Sequence, residues 1–210
     1  MFIETPILPY RLHCPEAVWQ FPCREGEKTV YLTFDDGPIP EVTPHVLDIL
    51  DTYRIKATFF MVGDNVRRNP ALLSRILEAG HSVGHHTMNH LQGMRTGTFT
   101  YLRNALAAAQ LTGSTLFRPP HGFIRRRQAR ALSRRFTIVM HSVVTRDYNS
   151  SLSPEHIFDN VKRYCHPGAI IVFHDSLRAW PRLETALPRI IEWLISEGYE
   201  FRTIHSKNER

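Results

Sequence analysis

The chain is poor in the features that would make it something other than an ordinary folded domain. It has three cysteines, Cys14, Cys23 and Cys165, in 210 residues. An odd, sparse set without CxxC spacing argues against a disulfide framework or a zinc finger. A Cys14–Cys23 bridge is conceivable, and three free thiols are expected. No run of 18 apolar residues exists, so no integral membrane segment is expected. There is no internal repeat, low-complexity tract or interdomain linker. With 42% hydrophobic and 22% charged residues, disordered, collagenous and coiled-coil chains are excluded. The start, Met1-Phe2-Ile3-Glu4-Thr5-Pro6, lacks a basic stretch followed by an apolar run, which reads as no export signal and a cytoplasmic protein.

Histidine is plentiful: 12, against 20 acidic residues, with several crowded into 80–90. The 26 basic side chains leave a formal charge of +6. The densest runs, Arg125-Arg126-Arg127 and Arg134-Arg135, bracket a predicted helix and match no nucleic-acid module, so no nucleic-acid partner is expected and the charge reads as a scattered, solvated face.

Short β-type runs alternate with helical patterns. Strands are predicted at 29–34, 57–62, 81–84, 115–118, 136–144, 169–173 and 199–204. Val42, Val46, Ile49, Leu50 and Tyr53 fall at helical spacing. Asn69-Pro70 opens a second helix that Gly80 closes. Further helices are expected at 99–110 and 124–135, after Ser153-Pro154, and around Leu187, Ile190, Ile191, Leu194 and Ile195. Seven strands separated by helices imply parallel βαβ units with right-handed crossovers. An eight-fold barrel needs about 250 residues. The expected α/β fold is therefore a distorted, incomplete (β/α)7 barrel over 29–210. An extended N-terminal arm, residues 1–28, would pack on it.

Polar clusters follow five of the strands: Asp35-Asp36, 85–90, 118–122, Arg146-Asp147 and His174-Asp175. The C-terminal strand ends of a parallel α/β fold converge on one face, where ligands bind. Of the adjacent pair Asp35-Asp36, one carboxylate can hold a metal while the other acts as general base; alone, the pair is also ordinary turn chemistry. His86 and His90, four apart, would share a face on a helical turn. Two histidines, one carboxylate and open positions make a hydrolytic metal site, whereas HxxxH alone equally describes surface histidines. His81 and His85 read as strand-end groups. His174 reads as a general acid, against a core histidine. Arg118 would hold the base or a substrate oxygen, against a strand-closing salt bridge. Asp147 would orient a histidine, against a turn aspartate.

Together these residues resemble the NodB-homology polysaccharide deacetylases, carbohydrate esterase family four, over about 29–204. Thr33-Phe34-Asp35-Asp36-Gly37 looks like that family's first motif, and His86-Thr87-Met88-Asn89-His90 like its second. Arg118-Pro119-Pro120-His121-Gly122 resembles the third, and Val172-Phe173-His174 the fifth. The resemblance implies a hydrolase that releases acetate from N-acetylglucosamine-type glycans, peptidoglycan- or chitin-like. It implies Asp35 as base and Asp36, His86 and His90 as ligands of a divalent metal, zinc first, with cobalt, nickel or iron also acceptable to such ligands. His174 becomes the acid, supported by Asp147. Arg118 orients Asp35, and the His121 backbone N–H helps stabilise the oxyanion. Five positions depart from the pattern, one of them Val172, which stands for leucine in the fifth motif. His121 stands where an aromatic is common. The fourth motif, usually Asp-x-x-Asp-Trp, reads Val144-Thr145-Arg146-Asp147-Tyr148 and keeps only its second aspartate. His141 replaces an upstream tryptophan. These changes touch the sugar-contacting walls more than the reaction. They leave two alternatives open: an amide or cyclic-imide hydrolase for a small non-sugar substrate, and a non-catalytic metal- or glycan-binding domain.

Overall fold

Seven consecutive residues, Thr-Val-Tyr-Leu-Thr-Phe-Asp, form the fully buried central strand β1 (Thr29–Asp35) of a computed structural model that describes residues 4–6 and 8–206. Met1, Phe2 and Ile3, on which the reading of the N-terminus partly rests, lie outside the described residues. The same holds for the first residues of the predicted arm and for 207–210 at the end of the predicted domain. α1 (Leu8–His13) precedes β1. After it come α2 (Thr43–Thr52), β2 (Thr58–Met61), α3 (Gly63–Arg68), α4 (Pro70–Glu78), β3 (Ser82–His85), α5 (Thr98–Thr112), β4 (Leu116–Phe117) and α6 (Arg126–Leu132). The chain continues through β5 (Thr137–Ile138), β6 (Val143–Val144), α7 (Pro154–Tyr164), β7 (Ala169–His174), α8 (Trp180–Ser196) and β8 (Glu200–Phe201).

Among the described residues the strands pair in parallel, in the order β5-β4-β3-β2-β1-β7-β6, with β8 against the start of β1. The sheet curls into the expected incomplete barrel with helices outside. Alternation along β1 and β7 shows how. Val30, Leu32, Phe34, Ala169, Ile171 and Phe173 face the outer layer, where α2, α7 and α8 cover them. Tyr31 and Ile170 point into the lumen and pack with Phe60, Leu116 and Val139. A strand buried on both faces must be apolar on both; polar residues enter β1 only at Thr29, Thr33 and Asp35, which share the lumen-side alternation of Tyr31. The register sets Asp35 beside His174 and Thr33 beside Val172.

Two details differ from the sequence-based expectation. The run 136–144 is not one strand: β5 pairs with β4 and β6 with β7, at opposite ends of the sheet's path. Between them the backbone turns to the N-terminal arm, which pairs Val18 with Val139, and Met140 N–H donates to Val18 C=O at 2.8 Å. The arm itself is not wholly extended, because it carries α1. Buried Cys14 and Trp19 dock it against Phe117, Ile124 and Ile138 beneath α5 and α6. No helix among the described residues is long and apolar enough to cross a membrane.

Candidate active site

The lumen of the barrel is closed from below by apolar side chains and capped by charge. Arg118, just past β4, is 1% exposed and runs across the lumen over the Phe60 ring, 4.1 Å from its centroid. Its Nη1 donates to Thr33 Oγ1 and Asp35 Oδ1, both at 2.7 Å. Its Nε and Nη2 donate to the carbonyls of Val139 and Met140. One guanidinium is thus satisfied by two side chains of β1 and two carbonyls just past β5, as a buried cation requires. Burial raises the pKa of Asp35, while Arg118 and His174 pull it back. A carboxylate lifted but still braced by a cation suits a general base.

His174 ends β7 beside Asp35. Its Nδ1 lies 2.7 Å from Asp147 Oδ1, and its backbone N–H donates to Asp147 Oδ2 at 2.8 Å. Asp147 is completely buried. Burial works against the imidazolium, but the Asp147 charge and hydrogen bond outweigh it, and the pKa of His174 rises to about 9. The Tyr148 ring meets the imidazole edge-on, with centroids 4.9 Å apart.

Asp36, His86 and His90 supply the second group. One ligand atom from each lies within 4.8 Å of the others. His86 Nδ1 sits 2.7 Å from the Arg118 carbonyl; a carbonyl only accepts, so Nδ1 carries the proton and Nε2 keeps its lone pair. Burial and neighbouring His90 hold His86 well below the usual histidine pKa, so the imidazole is neutral, as a ligand must be. Asp36 Oδ1 is shut off from solvent without a hydrogen-bond donor among the described residues; His90 Nε2 lies 3.3 Å from it. An orphaned carboxylate oxygen and two imidazoles converging on one point fit a divalent cation. Asp35 Oδ2, the oxygen that Arg118 leaves free, is 3.9 Å from His86 Nε2.

The histidines are not brought together by a helical turn. Residues 86–90 form a loop with Thr87 at φ 61° and His90 at φ 53°, and the imidazole centroids are 5.1 Å apart. Asp36 (φ 88°) and His121 (φ 60°) are left-handed as well, so four non-glycine residues of the site occupy a region that favours glycine. Side chains that the sequence did not single out hold these loops. Asn65 Nδ2 donates to Asp36 C=O at 2.8 Å. Asn104 Oδ1 accepts the N–H groups of Met88 and Asn89 at 2.8 and 3.2 Å. Asp175 Oδ1 accepts Gly37 N–H at 3.0 Å, and its Oδ2 accepts the Thr43 hydroxyl at 2.6 Å. Position 37 must be glycine, because a Cβ there would lie 2.0 Å from Asp175 Oδ2. Asp175 was visible in the sequence beside His174; the lone amides carried no such signal.

His81 and His85 stay outside the ligand set. His81 Nδ1 accepts Ala57 N–H at 3.1 Å, and His85 is buried between Phe117 and Phe136. His121 is exposed at the rim, its ring centroid 4.6 Å from that of His90. The arm reaches this rim: the Tyr10 hydroxyl donates to Gly122 C=O, His13 Nε2 lies 3.2 Å from Ile124 C=O, and Trp19 meets the His141 ring edge-on at 6.2 Å.

The family model described as polysaccharide deacetylase matches residues 24–140. A peptidoglycan-N-acetylglucosamine deacetylase of Bacillus cereus is 34% identical over 90% of this chain and 91% of its own. The peptidoglycan-N-acetylglucosamine deacetylase PgdA of Listeria monocytogenes is 35% identical over 96% of this chain, which spans only 42% of that protein. Among solved structures, the Bc1960 peptidoglycan N-acetylglucosamine deacetylase superposes with a TM-score of 0.84 at 30% identity, covering 90% of this chain and 91% of its own. The similar structures also include BA3943 of Bacillus anthracis, described as a pseudoenzyme, with a TM-score of 0.74 at 27% identity over 86% of this chain and 65% of its own.

Proposed function

The chain belongs to the polysaccharide deacetylase family, and from that premise we propose that it hydrolyses N-acetyl groups of an amino-sugar glycan with the help of a divalent metal, releasing acetate. Family membership alone does not carry catalysis, since a pseudoenzyme shares the fold. The observation that carries it is the pairing of two braced proton-transfer groups, Asp35 on Arg118 and His174 on Asp147, beside the Asp36, His86 and His90 cluster. Pure metal or glycan binding requires neither pair.

Asp36, His86 and His90 would hold the ion, zinc by preference for two imidazoles and a carboxylate. Such an ion, when bound, supplies Lewis-acid polarisation of the acetyl carbonyl and lowers the pKa of a water. Asp35 Oδ2 takes the proton of the attacking water, while Oδ1 stays on Arg118. The His121 backbone N–H donates to the carbonyl oxygen as it gains charge. His174, protonated and held by Asp147, gives its proton to the departing amine. Water adds to the acetyl carbon, the C–N bond breaks, and acetate and a free amino sugar leave.

The test is acetate release from N-acetylglucosamine oligomers with added zinc or cobalt. Wild-type protein is expected to release acetate and free amine in equal amounts, with Asp35→Asn and His174→Ala each slower by about 10²–10⁴-fold. Turnover untouched by either substitution overturns the mechanism. Turnover of small cyclic imides without any glycan turnover would replace it with the amide-hydrolase reading.

A further inference from the structure

The net charge conceals a division of the chain. Residues 79–146 hold ten arginines and no lysine, aspartate or glutamate, a charge of +10 in a chain whose total is +6, so the remaining residues carry −4. That stretch builds β3, the 3₁₀ turn Gly93–Arg95, α5, β4, α6, β5 and β6; its surface arginines lie on the turn, α5, α6 and the residues leading into β5, which form one flank of the barrel. Arg118 is used in the site, and Arg146 pairs with Glu4. The other eight are exposed, and their one ion pair among the described residues, Arg130 with Glu16, is stretched to 4.0 Å.

The centre of this flank is rigid. Arg125 Nε and Nη2 both donate to Met94 C=O, at 3.2 and 2.6 Å. Gln128 Nε2 donates to the Gly93 and Thr96 carbonyls at 3.1 Å each. Those bonds tie Arg95 to the arginines at the start of α6. A Cβ on Gly93 would lie 2.8 Å from the Phe123 carbonyl and 3.1 Å from Ile124 Cα, so the turn that carries Arg95 packs against the segment following His121, and the cationic plate begins beside the wall of the catalytic groove. Two large apolar faces lie on the same flank: Phe99, 72% exposed, under the Arg103 guanidinium, and Phe123, 44% exposed, at the rim.

A folded domain gains nothing from like charges crowded together without acids, and their mutual repulsion opposes folding. Guanidinium forks match carboxylates bidentately, and exposed rings offer flat faces to sugars. We infer that the plate of Arg95, Arg125, Arg126, Arg127 and Arg130 binds the carboxylates of an anionic glycan strand whose N-acetyl group lies in the site, which makes carboxylate-bearing amino-sugar polymers better substrates than neutral ones. The inference rests on the deacetylase reading above. Continuity with the groove favours a glycan over a nucleic acid, whose binding would not need a plate that starts beside the groove.

The experiment compares KM for an alternating N-acetylglucosamine and N-acetylmuramic acid strand with KM for a chitin oligomer of equal length. For the carboxylated strand, raising salt from about 50 to about 500 mM is expected to raise KM about ten-fold, because screening weakens exposed charge pairs; KM for the neutral oligomer moves less than about two-fold. Arg126→Glu with Arg127→Glu raises KM for the carboxylated strand about five-fold or more at low salt and leaves its kcat in place. Equal KM and equal salt response for the two glycans overturn the docking plate while the deacetylase reading stands. Turnover of neither glycan overturns the deacetylase reading instead, and docking is then read by fluorescence anisotropy of the labelled carboxylated strand. Salt-sensitive binding lost in the double variant supports the plate; no binding, or tighter binding of a labelled single-stranded DNA of equal charge, overturns it.

Discussion

The two halves of the site are built by opposite means. Asp35 and His174 end neighbouring strands in register, and Arg118 directly follows a third; Arg118 bonds to Thr33 and Asp35 of β1 and to the carbonyls just past β5. Asp36 and His90 sit on loops with left-handed backbone, pinned by the amides of Asn65 and Asn104. Each strained residue of this kind costs about 1–3 kcal/mol that the surroundings must offset. The proton-transfer half therefore inherits its geometry from the sheet, while the ligand half depends on a few side-chain struts. Proton chemistry should be lost through single chemical groups, and metal binding through local loosening.

The largest effects test that contrast directly. Asp35→Asn should lower kcat by about 10³-fold while the protein still takes up one divalent ion, since Asp35 is not among the ligand atoms. His90→Ala should weaken metal binding by about 10²-fold or more, with activity partly regained at high metal concentration. Metal content by mass spectrometry beside kcat separates the two. If Asp35→Asn also loses the ion, the halves are one unit and the contrast fails.

What could be read from the sequence follows the same line. Strand-borne groups were legible because the period of two and the strand ends fix both side and height: Asp35, Arg118 and His174 were placed from the ends of 29–34, 115–118 and 169–173. The loop half was legible in identity but not in shape. His86 and His90 are side chains of ligand type, yet a helical turn is the wrong backbone, and nothing in Thr87 or His90 announces a positive φ. α3, whose first N–H groups hold Thr87 and Met88 C=O, is only six residues long with two buried positions, too short for a helical period to show. The break between β5 and β6 arises from pairing with the arm, a contact far away in sequence. The acid-free arginine stretch 79–146 is visible in the sequence; that α5, α6 and the turn before them share one flank needed the fold.

A smaller effect sharpens the strand side. His174 must be protonated to serve the leaving amine, so activity holds below its pKa and falls as pH rises through about 9. Asp147→Asn removes the charge that outweighs burial, and the alkaline limb of kcat should move to lower pH by about one unit or more. A bound cation lowers the limb in both proteins, so the comparison is between variants at fixed metal. Stability follows with the same sign. The folded pKa of His174 lies above its ordinary 6.5, so its contribution is complete below pH 6.5 and fades as pH rises toward 9. The melting temperature of the wild type should fall across that window, and that of Asp147→Asn should change less.

The smallest effect belongs to the loop side. Asn104→Ala removes the acceptor of two backbone N–H groups in 86–90 and touches no ligand atom. With the Asn104 Nδ2 bond to Asn89 Oδ1, three hydrogen bonds are lost; partly replaced by water, they cost about 1–3 kcal/mol, and part of that loss falls on the preorganisation of His90. Metal affinity should drop about three- to ten-fold, with kcat at saturating metal within about two-fold of wild type, because Asp35 and His174 hang from other elements. The readout is a competition titration with a chelating dye beside kcat at saturating zinc. A fall in kcat without a fall in affinity would mean that the loop positions the substrate rather than the ion, and the two halves of the site would need to be redrawn.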